Sequence, residues 1–181
     1  MRFIAYKRNY FSGKLEFMEN LSVSLHKKDI QLLMLLQQDA RLTNQQLAEQ
    51  CGMSATPCWR RIRQLEEAGV IAGYRAVLDR KKTGLGILAF VRVNIDSHSE
   101  QQAVSFEQAV CELPQVIACY AIGGGADFLL QVVARELDDY SDFAMKVIRR
   151  LPGIKAMETS FVLKEIKPLS GLPVGDGCRW P

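Results

Sequence analysis

Three arginines crowd into Thr56-Pro57-Cys58-Trp59-Arg60-Arg61-Ile62-Arg63-Gln64-Leu65. On a helix, at about 100° per residue, Cys58, Ile62 and Leu65 share one narrow arc, with Gly69 following on. Thr56, Arg60, Arg63 and Glu67 lie almost opposite. Pro57, Arg61 and Gln64 make one shoulder, and Trp59 with Glu66 the other. Such a helix docks by its apolar stripe and offers the polar one to a polyanion. Arginine forks onto guanine O6 and N7, and threonine reaches a thymine methyl or a phosphate. The amides of Ser54, Ala55 and Thr56, at the helix start, suit a phosphate. Arg60 and Arg63 are therefore the expected base contacts, Arg61 the expected phosphate contact, and Trp59 a partly buried packing residue. A lone run of charge is more often a solvated face, so the neighbouring elements must decide.

They point the same way. Ile30, Leu33 and Leu36 recur at helical spacing, with Leu32 and Leu35 beside them. Thr43-Asn44-Gln45-Gln46 is a capping box that opens a short helix carrying Leu47 and Ala48, and Gly52 ends it. Ser54 is placed to cap the third helix, where Pro57 is tolerable because first-turn amides lack intrahelical acceptors. Three helices with so short a link between the last two outline a helix-turn-helix at about 45–64. The candidate DNA contacts are Thr43, Asn44 and Gln45, then Ser54, Thr56, Pro57, Arg60, Arg61, Arg63 and Gln64.

Beyond Gly69 the periodicity changes. Val70–Leu78 is β-prone and predicts a short strand or wing, and polar residues 79–84 read as a hinge. Ile87–Ile95, Val116–Ile122, Phe128–Ala134 and Met157–Ile166 read as strands. Two amphipathic helices intervene, the first capped at Ser99 and the second running from Leu137 to Leu151. The order βαββαβ is that of a ferredoxin-like antiparallel sheet. The class is α+β, divided as extension 1–24 (expected to be poorly ordered), winged helix-turn-helix 25–79, hinge 80–86, ferredoxin-like domain 87–168 and tail 169–181, which is expected to pack little.

Composition narrows the function. Net charge is only +3, but the positive excess lies in the first 80 residues, which mildly favours a polyanion partner. Five cysteines without a CxxC pair and two histidines assemble no metal set, so no metal or cofactor is expected, and the thiols read as reduced. No stretch suits a membrane span. Nucleophile motifs and phosphate loops are missing, which argues against an enzyme. The expected compartment is cytoplasmic, on the nucleoid.

At the level of motifs, the chain resembles the Lrp/AsnC (feast–famine) regulators over about Leu25 to Val174. The resemblance rests on Leu47-Ala48…Gly52-Met53-Ser54, on Thr56–Ile62 with Leu65–Ile71, on Gly84-Leu85-Gly86, on Gly124-Gly125-Ala126-Asp127 matching a GxxD turn, and on Ser160–Lys167. It implies an amino-acid-modulated transcriptional regulator of metabolism or transport genes. It also implies a homodimer built by the C-terminal domain and assembling further, often to an octamer. The effector would lie near the GxxD turn, which points to Gly124 and Asp127, with Gly123 and Ala121 beside them and Thr159 and Ser160 on the last strand. Exposed glycine amides suit a carboxylate and Asp127 an ammonium group; the alternative is that the glycines only make a hairpin that Asp127 caps. His26 stands where the family commonly has Asp, which is expected to shift the first cap to Ser24. Two other readings remain at this point: a nonspecific architectural DNA binder of the same fold and, more remotely, an amino-acid-sensing subunit of a metabolic enzyme.

Overall fold

The computed structural model describes residues 25–96 and 100–175. The expectations for residues 1–24, for Ser99 and for Cys178 lie outside them; the expected shift of the first cap to Ser24 is overturned, because the first helix is capped at His26. The described residues form two compact units: one holds those up to Arg75 together with those from Leu169, the other Ala76–Pro168.

The first unit contains α1 (Lys27–Gln38), α2 (Asn44–Gln50) and α3 (Ala55–Glu67). Helix α1 is capped at His26, whose Nδ1 accepts from Lys28 N (3.3 Å) while Asp29 Oδ2 accepts from His26 N (2.9 Å). A histidine thus does the work expected of Asp or Ser. In α2 the capping box forms as the sequence predicts, with Gln46 N donating to Thr43 Oγ1 (3.3 Å) and Thr43 N to Gln46 Oε1 (2.8 Å). Gly52 at φ +60° turns the chain out of α2, a conformation that costs a side-chain-bearing residue more. The three helices close on Leu32, Leu47, Ala48, Cys51 and Cys58, all at most 3% exposed. Each buried leucine there contributes about 1.5–3 kcal/mol. Burial pushes the Cys51 and Cys58 thiols above their usual range, so they serve as packing groups rather than nucleophiles.

The second unit is a four-stranded antiparallel sheet of β1 (Ile87–Ile95), β2 (Val116–Ala121), β3 (Phe128–Ala134) and β4 (Ile154–Phe161) in the order β2-β3-β1-β4. With α4 (Glu100–Cys111) and α5 (Leu137–Lys146), this is the ferredoxin-like βαββαβ arrangement. Alternation along β1 sends Ala89, Val91, Val93 and Ile95 into the core, where Phe106 of α4 meets Phe128 of β3 with ring centroids 4.7 Å apart. Arg92 and Asn94 take the opposite face.

Three elements depart from the sequence reading. Val70–Leu78 forms no strand, and Val77 is 98% exposed: the segment has no ladder partner among the described residues. β4 begins three residues earlier than its apolar run, with Ile154 opposite Ile95, and its ladder with β1 ends at Phe161 opposite Ala89, followed by one further backbone bond from Val162 N to Leu88 O (2.9 Å). The second amphipathic helix breaks after Lys146 into a 3-10 turn, Ile148–Arg150.

Candidate nucleic-acid interface and effector cleft

Helix α3 divides as its spacing requires. Cys58 and Leu65 are buried, Ile62 is partly so, and Thr56, Arg60, Arg63 and Gln64 are exposed. Ser54 holds the N-cap backbone conformation, yet its hydroxyl makes no cap bond. An exposed hydroxyl and unsatisfied first-turn amides remain at that end, as an anion requires. Arg60 has no hydrogen-bond or ion-pair partner among the described residues. Arg63 is engaged: its Nε donates to Glu67 Oε1 (2.8 Å), and its guanidinium sits 5.4 Å from the Trp59 ring centroid. An exposed i,i+4 pair is worth only about 0.3–0.5 kcal/mol, so a phosphate or guanine edge outcompetes it readily. Trp59 is 53% exposed, more open than the packing role expected of it.

Arg61, the expected phosphate contact, is engaged within the first unit. Its Nη1 donates to Asp29 Oδ1 at 2.8 Å, with the two side chains 33% and 14% exposed. Asp29 therefore caps α1 with one oxygen and ties α3 to α1 with the other. Residues one turn apart on the same shoulder look equivalent on a helical wheel, and only the position of α1 separates Arg61 from its neighbours. Arg61→Ala should cost about 1.5–3 kcal/mol, the range for a charged hydrogen bond. It should weaken DNA binding alike on all sequences; a melting curve beside gel shifts on matched and shuffled duplexes checks this.

The three residues at the start of α2 also divide. Asn44 Nδ2 donates to Ala55 O (2.8 Å), fixing the start of α3 against α2. The Thr43 hydroxyl is spent in the capping box, and Gln45 Nε2 donates to Glu49 Oε1 (3.1 Å) while staying exposed. Thr43 caps α2 and Asn44 holds the start of α3, whose first turn contains the half-buried Pro57.

In the second unit the β2–β3 turn is exposed at Gly123, Gly124 and Gly125, with Gly124 at φ +124°. Asp127 locks that turn to β1: its N–H donates to Val93 O (3.0 Å) and its Oδ2 accepts from Ile95 N (2.9 Å). Two adjoining clefts, about 420 and 310 Å³, open beside it and share Asn94, Gly125, Ala126 and Ala156. Arg92 and Glu158, paired at 2.8 Å, stand on one side and Lys155 with Asp127 on the other. The Asn94 Oδ1 is buried without a partner. Both charge signs, exposed backbone amides and an idle acceptor around a small space are what a zwitterion needs. Of the residues expected here, Gly124 and Asp127 line a cleft, Gly123 sits in the turn, and Ala121 ends β2. Thr159 faces α5, its Oγ1 2.5 Å from Tyr140 Oη, and Ser160 pairs with Phe90 in the ladder; neither lines the clefts. Sequence reasoning missed Arg92 and Asn94, although polar residues at alternate positions of an otherwise apolar strand mark one face.

Comparison with known proteins gives two family matches: "Winged helix-turn-helix DNA-binding" over residues 25–72 and "Lrp/AsnC ligand binding domain" over 88–172. The chain is 37% identical over 150 residues to the DNA-binding transcriptional activator DecR of Escherichia coli K12, covering 83% of this chain and 99% of that one. It is 37% identical to the leucine-responsive regulatory protein of Rhizobium meliloti, over 80% of this chain and 93% of that one. Among solved structures, a Neisseria meningitidis transcriptional regulator in complex with L-Met superposes with TM-score 0.80 at 38% identity, covering 83% and 97% of the two chains.

Proposed function

The chain belongs to the Lrp/AsnC family of transcriptional regulators, and from that premise we propose that it binds specific operator sites through α3 and is modulated by a free amino acid. The observation that carries the DNA half is Arg60: exposed, unpaired among the described residues, and opposite the buried Cys58–Leu65 stripe. Base readout falls to Arg60 and Arg63, with Thr56 and Gln64 beside them; Ser54 and the first amides of α3 hold a phosphate.

The effector site is the pair of clefts at the β2–β3 turn. Amides of Gly124 and Gly125 with Arg92 or Lys155 receive the carboxylate, and Asp127 with Asn94 Oδ1 receives the ammonium group. The L-Met complex of the Neisseria relative supports an amino acid as the ligand class. The molecule acts as a homodimer through the second unit. The sheet face away from α4 and α5 carries a row of Tyr120, Leu129, Arg92 and Glu158 in register, an apolar and paired-charge surface suited to a second copy. Further assembly to an octamer follows the family pattern.

A gel shift on the region upstream of the chain's own gene, with each of the twenty amino acids added in turn, tests both halves. A shifted band whose midpoint moves with one amino acid supports the reading; no shift at any concentration refutes it.

A further inference from the structure

The tail does not hang free of the first unit. Gln37, exposed on the last turn of α1, clasps one residue of the tail with both ends of its amide: Nε2 donates to Leu172 O (3.0 Å), and Oε1 accepts from Leu172 N (2.5 Å). A side-chain amide thus copies the pairing of one strand residue with another. Two glycines make the approach possible. A Cβ on Gly171 would lie 2.7 Å from Gln37 Oε1, and one on Gly175, at φ +86°, would lie 2.7 Å from Ile30 Cγ2. Ile30 and Gln37 are two turns apart on one helix face, roughly 10 Å along the axis. Residues 171–175 therefore run back along α1, from its end toward its start.

Leu169 and Leu172 stay exposed, while Val174 is half-buried. Backbone recognition by Gln37 holds the stretch at Leu172, with little apolar burial beside it. The chain also crosses between its two units twice, at 75/76 and again at 168/169. The helix that receives the tail is the one whose Asp29 holds Arg61 of the reading helix.

We propose that residues 169–175 are a strap, clasped to α1 by Gln37, that gives the sensing unit a second covalent line to the DNA-reading unit. The first line, 76–86, ends at β1; the strap follows from β4, whose Ala156 and Glu158 line the cleft. A change at β4 then pulls on α1, and α1 holds α3. Gln37 is a positioning residue in this scheme and touches neither DNA nor effector. The DNA arm of the test below rests on the regulator reading; the clasp itself does not.

Hydrogen exchange on the full chain, wild type beside Gln37→Ala, decides it. Position 37 is exposed and alanine is the best helix former, so α1 should keep its circular-dichroism signal. Without DNA, the Leu172 amide should exchange at least about tenfold slower than in a free peptide, and Gln37→Ala should return it to the free rate. Gly175→Val, which leaves Gln37 untouched, should loosen the same stretch from its other end. With a duplex from the chain's own upstream region, coupling is reciprocal, so DNA should slow exchange across 169–175 in wild type and about fivefold less in Gln37→Ala. A wild-type Leu172 amide exchanging at the free-peptide rate would overturn the strap, and so would a DNA effect that Gln37→Ala leaves intact. A duplex that does not bind at all would count against the regulator reading, while the DNA-free exchange of Leu172 would still decide the clasp.

Discussion

Arg60→Ala is expected to weaken binding to the chain's own operator roughly 5- to 150-fold for each reading helix, the span of about 1–3 kcal/mol that a bidentate arginine–guanine contact supplies. The size follows from what surrounds the residue. Arg60 is exposed, faces away from the buried side of α3, and has no partner to release among the described residues. Its whole interaction energy is therefore available to the duplex. Arg63 must first leave Glu67 and the Trp59 ring, so Arg63→Ala should cost somewhat less. Arg61→Ala should differ in kind. It lowers the melting temperature through the lost Asp29 pair and reduces affinity without changing base preference. A table of dissociation constants for the three variants on operators altered one base pair at a time would separate them. Equal, sequence-independent losses for Arg60 and Arg61 would refute the assignment.

Asp127 offers the second large effect, because its carboxylate has two tasks that a pair of substitutions can divide. Oδ2 satisfies the Ile95 amide, and the residue lines the smaller cleft. Asp127→Ala removes both, leaving the Ile95 N–H without its acceptor at a cost of about 1–3 kcal/mol. Asp127→Asn keeps a carbonyl oxygen for Ile95 but loses the charge that an ammonium group needs. The asparagine variant should melt close to wild type in buffer and bind the amino acid at least about tenfold more weakly. A ligand at 100 times its dissociation constant adds about 2.7 kcal/mol to the wild type. The same concentration should add roughly half that in Asp127→Asn, since a tenfold loss removes about 1.4 kcal/mol. An undiminished thermal shift in both variants would place the effector elsewhere.

Local signals carried much of this. The capping box at Thr43, the turn at Gly52 and the apolar arc of Cys58, Ile62 and Leu65 each depend on residues a few positions apart, and each appears in the structure as its chemistry demands. The βαββαβ order was legible for the same reason. Contacts between distant residues were not. Nothing near Arg61 announces Asp29, thirty-two positions earlier, and nothing near Leu172 announces Gln37. The end of β4 was misplaced because the β-prone run continues in sequence past Phe161 while the paired ladder ends there. Val70–Leu78 has the composition of a strand but no neighbour among the described residues to pair with. In the cleft, the turn that carries Asp127 was visible as a motif; Arg92, Asn94 and Glu158 enter only because the strand register sets β1 and β4 side by side.

The central claim is that α3 reads sequence as well as holding phosphate, and one competition measurement tests it most directly. The wild-type chain is titrated against the duplex from its own upstream region and against a shuffled duplex of equal length and composition, at physiological salt. A reading helix predicts that the native duplex is bound at least roughly 10³-fold more tightly. Equal affinity for the two, falling together and steeply as salt rises, would instead describe a protein that grips only the phosphate backbone, and would contradict the role assigned to Arg60.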